Sequence, residues 1–295
     1  MKKTIFQGAA TAIITPFKNG EVDYESFGKM IDWQIDSGID GLVVCGTTGE
    51  ASTLNDEEHR NVIGFAVQKA NKRVPIIAGT GSNDTVYAID LTKEACSLGA
   101  DAVLCVTPYY NKATQKGLID MYIKIADASE KPVILYNVPS RTCVNIEPST
   151  YAVLADHENI VAIKEANGNI SKIVETMSLV GDKLDLYSGN DDQILPLLAL
   201  GGKGVISVVS NIMPKETKEI CTSFFSGDIK SSCRLQLQMH NFIDSLFSEV
   251  NPIPVKAAAA AMGLCLNELR LPLTTMDETK YQKMLGYMRE LGLNV

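Results

Sequence analysis

Lys164 closes the run "IVAIKE", and an ammonium group at the end of an otherwise apolar strand has few ordinary uses. It must be paired, reach water along its stem, or react. Its neighbour Glu165 is a poor partner, because adjacent residues of a strand point to opposite faces. Burial favours the neutral amine and can lower a lysine pKa from about 10.4 by roughly three units, at a cost near ~4 kcal/mol. A neutral amine attacks a ketone to give a Schiff base, and the iminium acidifies the adjacent carbon, which opens the way to an enamine nucleophile. That chemistry needs a proton shuttle and an anion anchor. Tyr136, in "YNVPSRT", brings a phenol one strand away, with Thr47 of "CGTTGE" and Tyr110 of "TPYYN" as hydroxyl partners. Thr47 and Thr48 offer hydroxyl and backbone N–H groups to one carboxylate, and Arg141 offers a guanidinium to a second.

These residues are spread over most of the chain, so the elements between them must bring them together. Short apolar runs recur: "ATAIIT" from Ala10, "GLVVCG" from Gly41, "VPIIAGT" from Val74 and "DAVLCVT" from Asp101. They continue with "PVILYN" from Pro132, "IVAIKE" from Ile160, "LDLYSG" from Leu184 and "GVISVV" from Gly204. Each is apolar throughout rather than alternating, as parallel strands covered on both faces require. Helical patterns separate them. Val62, Ile63, Ala66, Val67 and Ala70 share one face, as do Leu118, Ile119, Tyr122, Ile123 and Ala126. Asn55, followed by three acids, reads as an N-cap.

The alternation predicts an α/β fold, a (β/α)8 TIM barrel over residues 1–225, with residues 226–295 as a C-terminal helical extension packed on it. A doubly wound open sheet is the alternative, but its Gly-x-Gly-x-x-Gly fingerprint is absent from the first strand–helix turn. In such barrels the chemistry sits at the C-terminal ends of the strands. There lie Thr47, Thr48, Tyr109, Tyr110, Tyr136, Arg141, Lys164 and Gly189. Most have a plainer reading: "GTTGE" as a tight turn, the tyrosine pair as rim aromatics, Arg141 as a surface cation. "GGKG" from Gly201 precedes the last run, at the opposite end, and reads as a turn rather than a phosphate cradle.

Composition narrows the class. A formal net charge of −8 argues against a nucleic-acid binder and gives no reason to expect an anionic membrane. The alanine-rich run from Ala257 is too short for a bilayer span and suits close helix packing. The N-terminus imitates a signal peptide, but its apolar part is broken by Gln7 and Thr11 and stopped by Pro16. It reads as a first strand, and the protein as cytoplasmic. The cysteines are odd in number and form no Cys-x-x-Cys pair, which suits buried thiols in a reducing compartment. His59, His157 and His240 lack ligand spacing, so neither metal nor cofactor is expected.

"GTTGE", "TPYYN", "YNVPSRT", "IKEA" and, from Asn251, "NPIPVK" follow one another over essentially the whole chain. In that combination the sequence resembles the dihydrodipicolinate synthases, a branch of the pyruvate-dependent class I aldolases. The resemblance implies a (β/α)8 barrel and the condensation of pyruvate with L-aspartate-4-semialdehyde to 4-hydroxy-tetrahydrodipicolinate, in lysine and diaminopimelate biosynthesis. It implies no cofactor and a homotetramer of two tight dimers. By the same resemblance Lys164 is the Schiff-base lysine, Tyr136 the proton-relay tyrosine and Thr47 the relay threonine. Tyr110 completes the relay from a neighbouring subunit. Thr48 helps hold the pyruvate carboxylate, Arg141 binds the carboxylate of the aldehyde, and Gly189 and Ile206 line the pocket with backbone carbonyls.

N-acetylneuraminate lyases and other sugar-acid aldolases share the lysine and tyrosine but lack the arginine of "PSR"; they stand as the alternative. A non-catalytic barrel that binds a carboxylate is a further reading, difficult to square with Lys164, Tyr136 and Thr47 together. Lysine-sensitive relatives hold lysine at positions that match Ala51, Ser52, Asp56, His59, Asn83, Tyr87 and Tyr109. Ala51, Asp56 and Tyr87 stand where serine, histidine and glutamate are usual. Without that glutamate the ligand's ammonium group is buried unpaired, and Asp56, beside the N-cap, is expected to be held by the helix N-terminus. Insensitivity to lysine follows.

Overall fold

Parallel strands close into an eight-membered barrel in the computed structural model, which describes Lys2 and residues 4–295. The strands are β1 (Gly8–Ala12), β2 (Gly41–Val44), β3 (Ile76–Gly79), β4 (Ala102–Val106), β5 (Val133–Asn137), β6 (Ile160–Glu165), β7 (Asp185–Ser188) and β8 (Gly204–Ser207). Each bonds to its neighbours in sequence, and β8 closes on β1 with Ala10 opposite Ile206. A helix follows each strand: α1 (Tyr24–Asp36), α2 (Asp56–Ala70), α3 (Thr85–Ser97), α4 (Gln115–Ala128), α5 (Pro148–Leu154), α6 (Ile170–Val180), α7 (Ile194–Ala199) and α8 (Pro214–Phe225). This is the (β/α)8 barrel that the sequence predicts.

The strands are apolar throughout because both faces are covered. Ile134 and Tyr136 of β5 and Ala162 of β6 point into the barrel with Ala10, Ala102, Tyr187 and Ile206. Val133, Leu135, Ile160 and Ile163 face the helices instead. This side-to-side alternation sends Lys164 and Glu165 to opposite faces, as the sequence requires. Several strands start one or two residues from the first residue of their run, and β1 alone starts earlier. β1 begins at Gly8, before the apolar run from Ala10, because Gly8 and Gly204 lie back to back: a Cβ on Gly204 would stand 1.7 Å from the Gly8 carbonyl oxygen. Only glycine permits that closure of the sheet.

Asn55 caps α2 as expected, in a reciprocal capping box with Glu58. The helix then buries Val62, Ile63, Ala66 and Ala70, with Val67 half-buried. In α4 the buried face is Leu118, Met121, Tyr122, Ile125 and Ala126, while Ile119 and Ile123 lie at its edge. After α8 come α9 (Ile229–Gln238), α10 (His240–Ser245), α11 (Ile253–Ala261) and α12 (Glu278–Glu290). Met239, Phe242, Val255, Ala258, Met284 and Met288 from this segment join the core between barrel and helices. Among the described residues no helix is long and apolar enough to cross a membrane. The cysteines are all free, and only Cys143 is exposed.

Candidate active site

The parallel register of β5 and β6 sets Tyr136 beside Lys164, and β7 sets Tyr187 on the other side. Lys164 is 6% exposed, with Nζ 4.3 Å from the centroid of the Tyr136 ring. Burial pushes its amine down to about 7; the Asp191 carboxylate opposes that shift and the Arg141 guanidinium adds to it. At pH 7 such an amine is about half neutral, against roughly one part in 3,000 for an ordinary lysine. A π-face so close favours the cation, yet the loss of water outweighs it. Burial also raises the Tyr136 phenol above its ordinary value, against the opposing effects of Arg141 and the Thr47 side chain. The phenol therefore holds its proton at neutral pH and can donate it.

Thr47 and Thr48 sit in the reversal that follows β2. Cys45 at φ +56° and Glu50 at φ +53° bracket it, both in the left-handed region that a non-glycine residue rarely enters. Inside it the Gly49 amide donates to the Gly46 carbonyl (3.1 Å) and the Glu50 amide to the Thr47 carbonyl (3.2 Å). The Thr48 hydroxyl accepts a hydrogen bond from Asn251 Nδ2 (3.0 Å), and the Asn251 carbonyl accepts one from Arg141 Nη2 (3.2 Å). Asn251, ahead of α11, thus ties the Thr48 loop to the helical turn Pro139–Thr142 after β5.

Gly189 follows β7 where a side chain has no room. A Cβ there would lie 2.8 Å from Ala166 Cβ and 3.2 Å from Lys164 Cε, so glycine leaves the passage for the lysine stem. Ile206 is fully buried in the barrel interior with Tyr136. Thr47, Tyr136 and Arg141 line a cavity of about 510 Å³ together with Tyr87, Tyr109 and His59. Tyr136 lines this cavity and also lies against Lys164. Tyr110 is not brought into the group: it is 92% exposed, at φ +74°. Within one chain the site lacks that hydroxyl.

Glu165 and Asp191, both buried, are given no role by the sequence. Glu165, on the helix side of β6, accepts hydrogen bonds from Asn137 Nδ2 (3.0 Å), the Tyr151 hydroxyl (3.0 Å) and the Asn167 amide (2.9 Å). Burial nevertheless pushes its carboxyl up to about 7. It fastens the end of β6 to β5 and α5, and so fixes the strand from which Lys164 projects. Asp191 accepts from the amides of Val208 (3.0 Å) and Val209 (2.8 Å) through Oδ2, while its buried Oδ1 has no hydrogen-bond partner. The signal for Glu165 is a charge inside an apolar run; Asp191 carries none, because its setting is made by β8.

Comparison with known proteins places the chain among relatives. Residues 5–290 match the Dihydrodipicolinate synthetase family. The 4-hydroxy-tetrahydrodipicolinate synthase of Acetivibrio thermocellus is 54% identical over 99% of this chain and 100% of its own length. The crystal structure of dihydrodipicolinate synthase from Aquifex aeolicus superposes with a TM-score of 0.96 at 45% identity, covering 98% of this chain and 99% of that one. The dihydrodipicolinate synthase of Acinetobacter baumannii, solved in complex with pyruvate, superposes with a TM-score of 0.96 at 46% identity, over 98% of this chain and 100% of that one.

Proposed function

Since this chain belongs to the Dihydrodipicolinate synthetase family, we propose that it condenses pyruvate with L-aspartate-4-semialdehyde to 4-hydroxy-tetrahydrodipicolinate, in lysine and diaminopimelate biosynthesis. The observation that carries the reading is Lys164: a buried amine held near neutrality against a buried phenol, at the C-terminal end of a barrel strand. Neutral Nζ attacks the pyruvate ketone carbon, and the Tyr136 phenol delivers a proton to the hydroxyl that leaves as water. The iminium then gives up a methyl proton, which returns to the Tyr136 phenolate, and becomes an enamine. That carbon bonds to the aldehyde carbon of the second substrate, and Tyr136 protonates the new alkoxide. The amino group of the same substrate displaces Lys164 from the imine carbon, which closes the ring and frees the enzyme.

Thr47 orients the phenol in this scheme, and Thr48 holds the pyruvate carboxylate with its backbone. Arg141 takes the carboxylate of the aldehyde. Gly189 and Ile206 shape the floor with their backbone. The position of Arg141 on the cavity wall favours this reading over a sugar-acid aldolase. Pyruvate consumption measured with aspartate semialdehyde, and separately with N-acetylmannosamine, decides between them. The first pair is expected to react and the second not; the reverse would overturn the assignment.

We place the enzyme in the cytoplasm as a homotetramer of two tight dimers, because Tyr110 leaves the relay incomplete within one chain. Sedimentation at assay concentration is expected to give no active monomer, and full activity in a monomer would remove Tyr110 from the relay. Lysine is expected to inhibit weakly or not at all. Asp56, the carboxylate nearest in role to the missing glutamate, is held by Arg60 (3.0 and 3.1 Å) and by the Tyr87 hydroxyl (3.0 Å), rather than by the helix N-terminus that the sequence led us to expect. An ammonium group arriving there meets a carboxylate already neutralised. Leaving that charge unpaired costs several kcal/mol, and about 3 kcal/mol weakens binding more than a hundredfold. Lysine titrated into the same assay should leave more than half the rate at about 1 mM; stronger inhibition would contradict the reading.

A further inference from the structure

Two charged residues have no part in the chemistry above: Glu50 of "GTTGE" and Lys256 of "NPIPVK". Their side chains are 1% and 0% exposed, the most deeply buried ion pair among the described residues. Lys256 Nζ donates to Glu50 Oε1 and to the Glu268 carbonyl (2.9 Å), and lies 4.2 Å from the centroid of the Phe17 ring. Glu50 Oε2 accepts from the Arg270 amide (3.3 Å). The Arg270 guanidinium then reaches the Thr53 carbonyl (2.8 Å), the Gly20 carbonyl (2.7 Å) and Glu58 (2.5 and 2.7 Å).

A buried ion pair is a weak source of stability, because stripping water from two charges offsets most of their attraction, and apolar residues of the same size often serve as well. What this pair secures is position. The Glu50 backbone is in the left-handed region, its amide donates to the Thr47 carbonyl (3.2 Å), and its own carbonyl accepts from the Thr53 amide (3.0 Å) and hydroxyl (3.1 Å). Among the described residues, its side chain makes the one ion pair between the loop carrying Thr47 and Thr48 and the segment beyond α8. Asn251, from the same segment, makes a second tie at Thr48.

We infer that Glu50 and Lys256 are positioning residues, whose buried ion pair locks the 46–50 loop to the C-terminal helical segment and so keeps Thr47 in place against Tyr136. The inference rests on the reading of Thr47 and Tyr136 as the proton relay. It makes the segment after α8 part of the active-site frame.

The test uses the full chain with Glu50→Gln, Lys256→Met and the double substitution. Borohydride trapping of pyruvate on Lys164, quantified by mass spectrometry, counts the competent sites in each preparation, and kcat is expressed per trapped site. Both single variants are expected to lose at least tenfold in kcat per site. The double variant should be no slower than the slower single, because residues that act as one unit do not lose additively. A merely structural pair would lower the melting temperature and leave kcat per site within about twofold of the parent, a result that overturns the inference. Lys256→Met can fail to fold, since it strands a buried carboxylate; Glu50→Gln keeps the shape and leaves Lys256 its bond to Glu268, so it carries the test alone. Failure of the parent chain itself to trap pyruvate would strike the Schiff-base reading instead.

Discussion

Lys164→Ala is expected to cut turnover by ~10³-fold or more, and borohydride added with pyruvate to leave one adduct on the parent chain, at Lys164. No neighbouring amine can substitute. Burial lowers Lys256 too, but that amine is closed off between Glu50 and the Phe17 ring. Full activity in the variant, or an adduct mapped elsewhere, would remove the proposed nucleophile. Because attack needs the neutral amine, kcat/KM for pyruvate should rise with pH and level off with an apparent pKa near the lysine's value of about 7. A limb near the ordinary lysine pKa would mean that the group is not desolvated.

The same burial has a consequence for stability. Between about 7 and the ordinary 10.5, the unfolded chain holds the Lys164 proton and the folded chain does not, so stability rises with pH across that window. Glu165 acts in the opposite sense. From its ordinary 4.5 up to about 7 the folded chain holds the extra proton, so its contribution falls as pH rises through that range. The two windows meet near neutrality. Lys164→Met, which removes a lysine depression worth on the order of 5 kcal/mol, should therefore melt higher than the parent at pH 7. On the proposed mechanism, the enzyme gives up stability where the chemistry requires a neutral amine.

Arg141→Ala is expected to reduce kcat/KM for the aldehyde roughly 30- to 100-fold, the loss of a charge-assisted pair with a carboxylate. Trapping of pyruvate at Lys164 should persist. Arg141 is exposed at the mouth and is braced on one side by the Asn251 carbonyl (3.2 Å), which leaves part of its guanidinium free to meet a substrate. It also adds to the depression of the Lys164 amine. The variant's pH limb should accordingly move to slightly higher pH, a shift that a plain loss of binding would not produce. Steady-state kinetics against each substrate decides the matter, and equal losses for both would deny Arg141 its selective role.

The barrel was legible because its cause is local. A parallel strand covered on both faces must be apolar at every position, and an amphipathic helix must repeat its apolar residues near every fourth, so the runs from Ala10 to Gly204 and the stripes of α2 and α4 mark themselves. Lys164 was legible for the same reason: a charge at the end of such a run contradicts its surroundings. The rest depends on distances between residues far apart in sequence. Whether Tyr136 lies beside Lys164 is a matter of strand register, and register is set by closure of the whole sheet, where Gly8 meets Gly204. That Tyr87 joins Arg60 in claiming Asp56 depends on how α2 packs against α3, although the Arg60 pair itself is local, one helical turn away. The partnership of Glu50 with Lys256 joins the first part of the chain to the last. No periodicity encodes it, because a buried charge is tolerated only where the fold supplies the opposite one, and only the tertiary structure brings the two together.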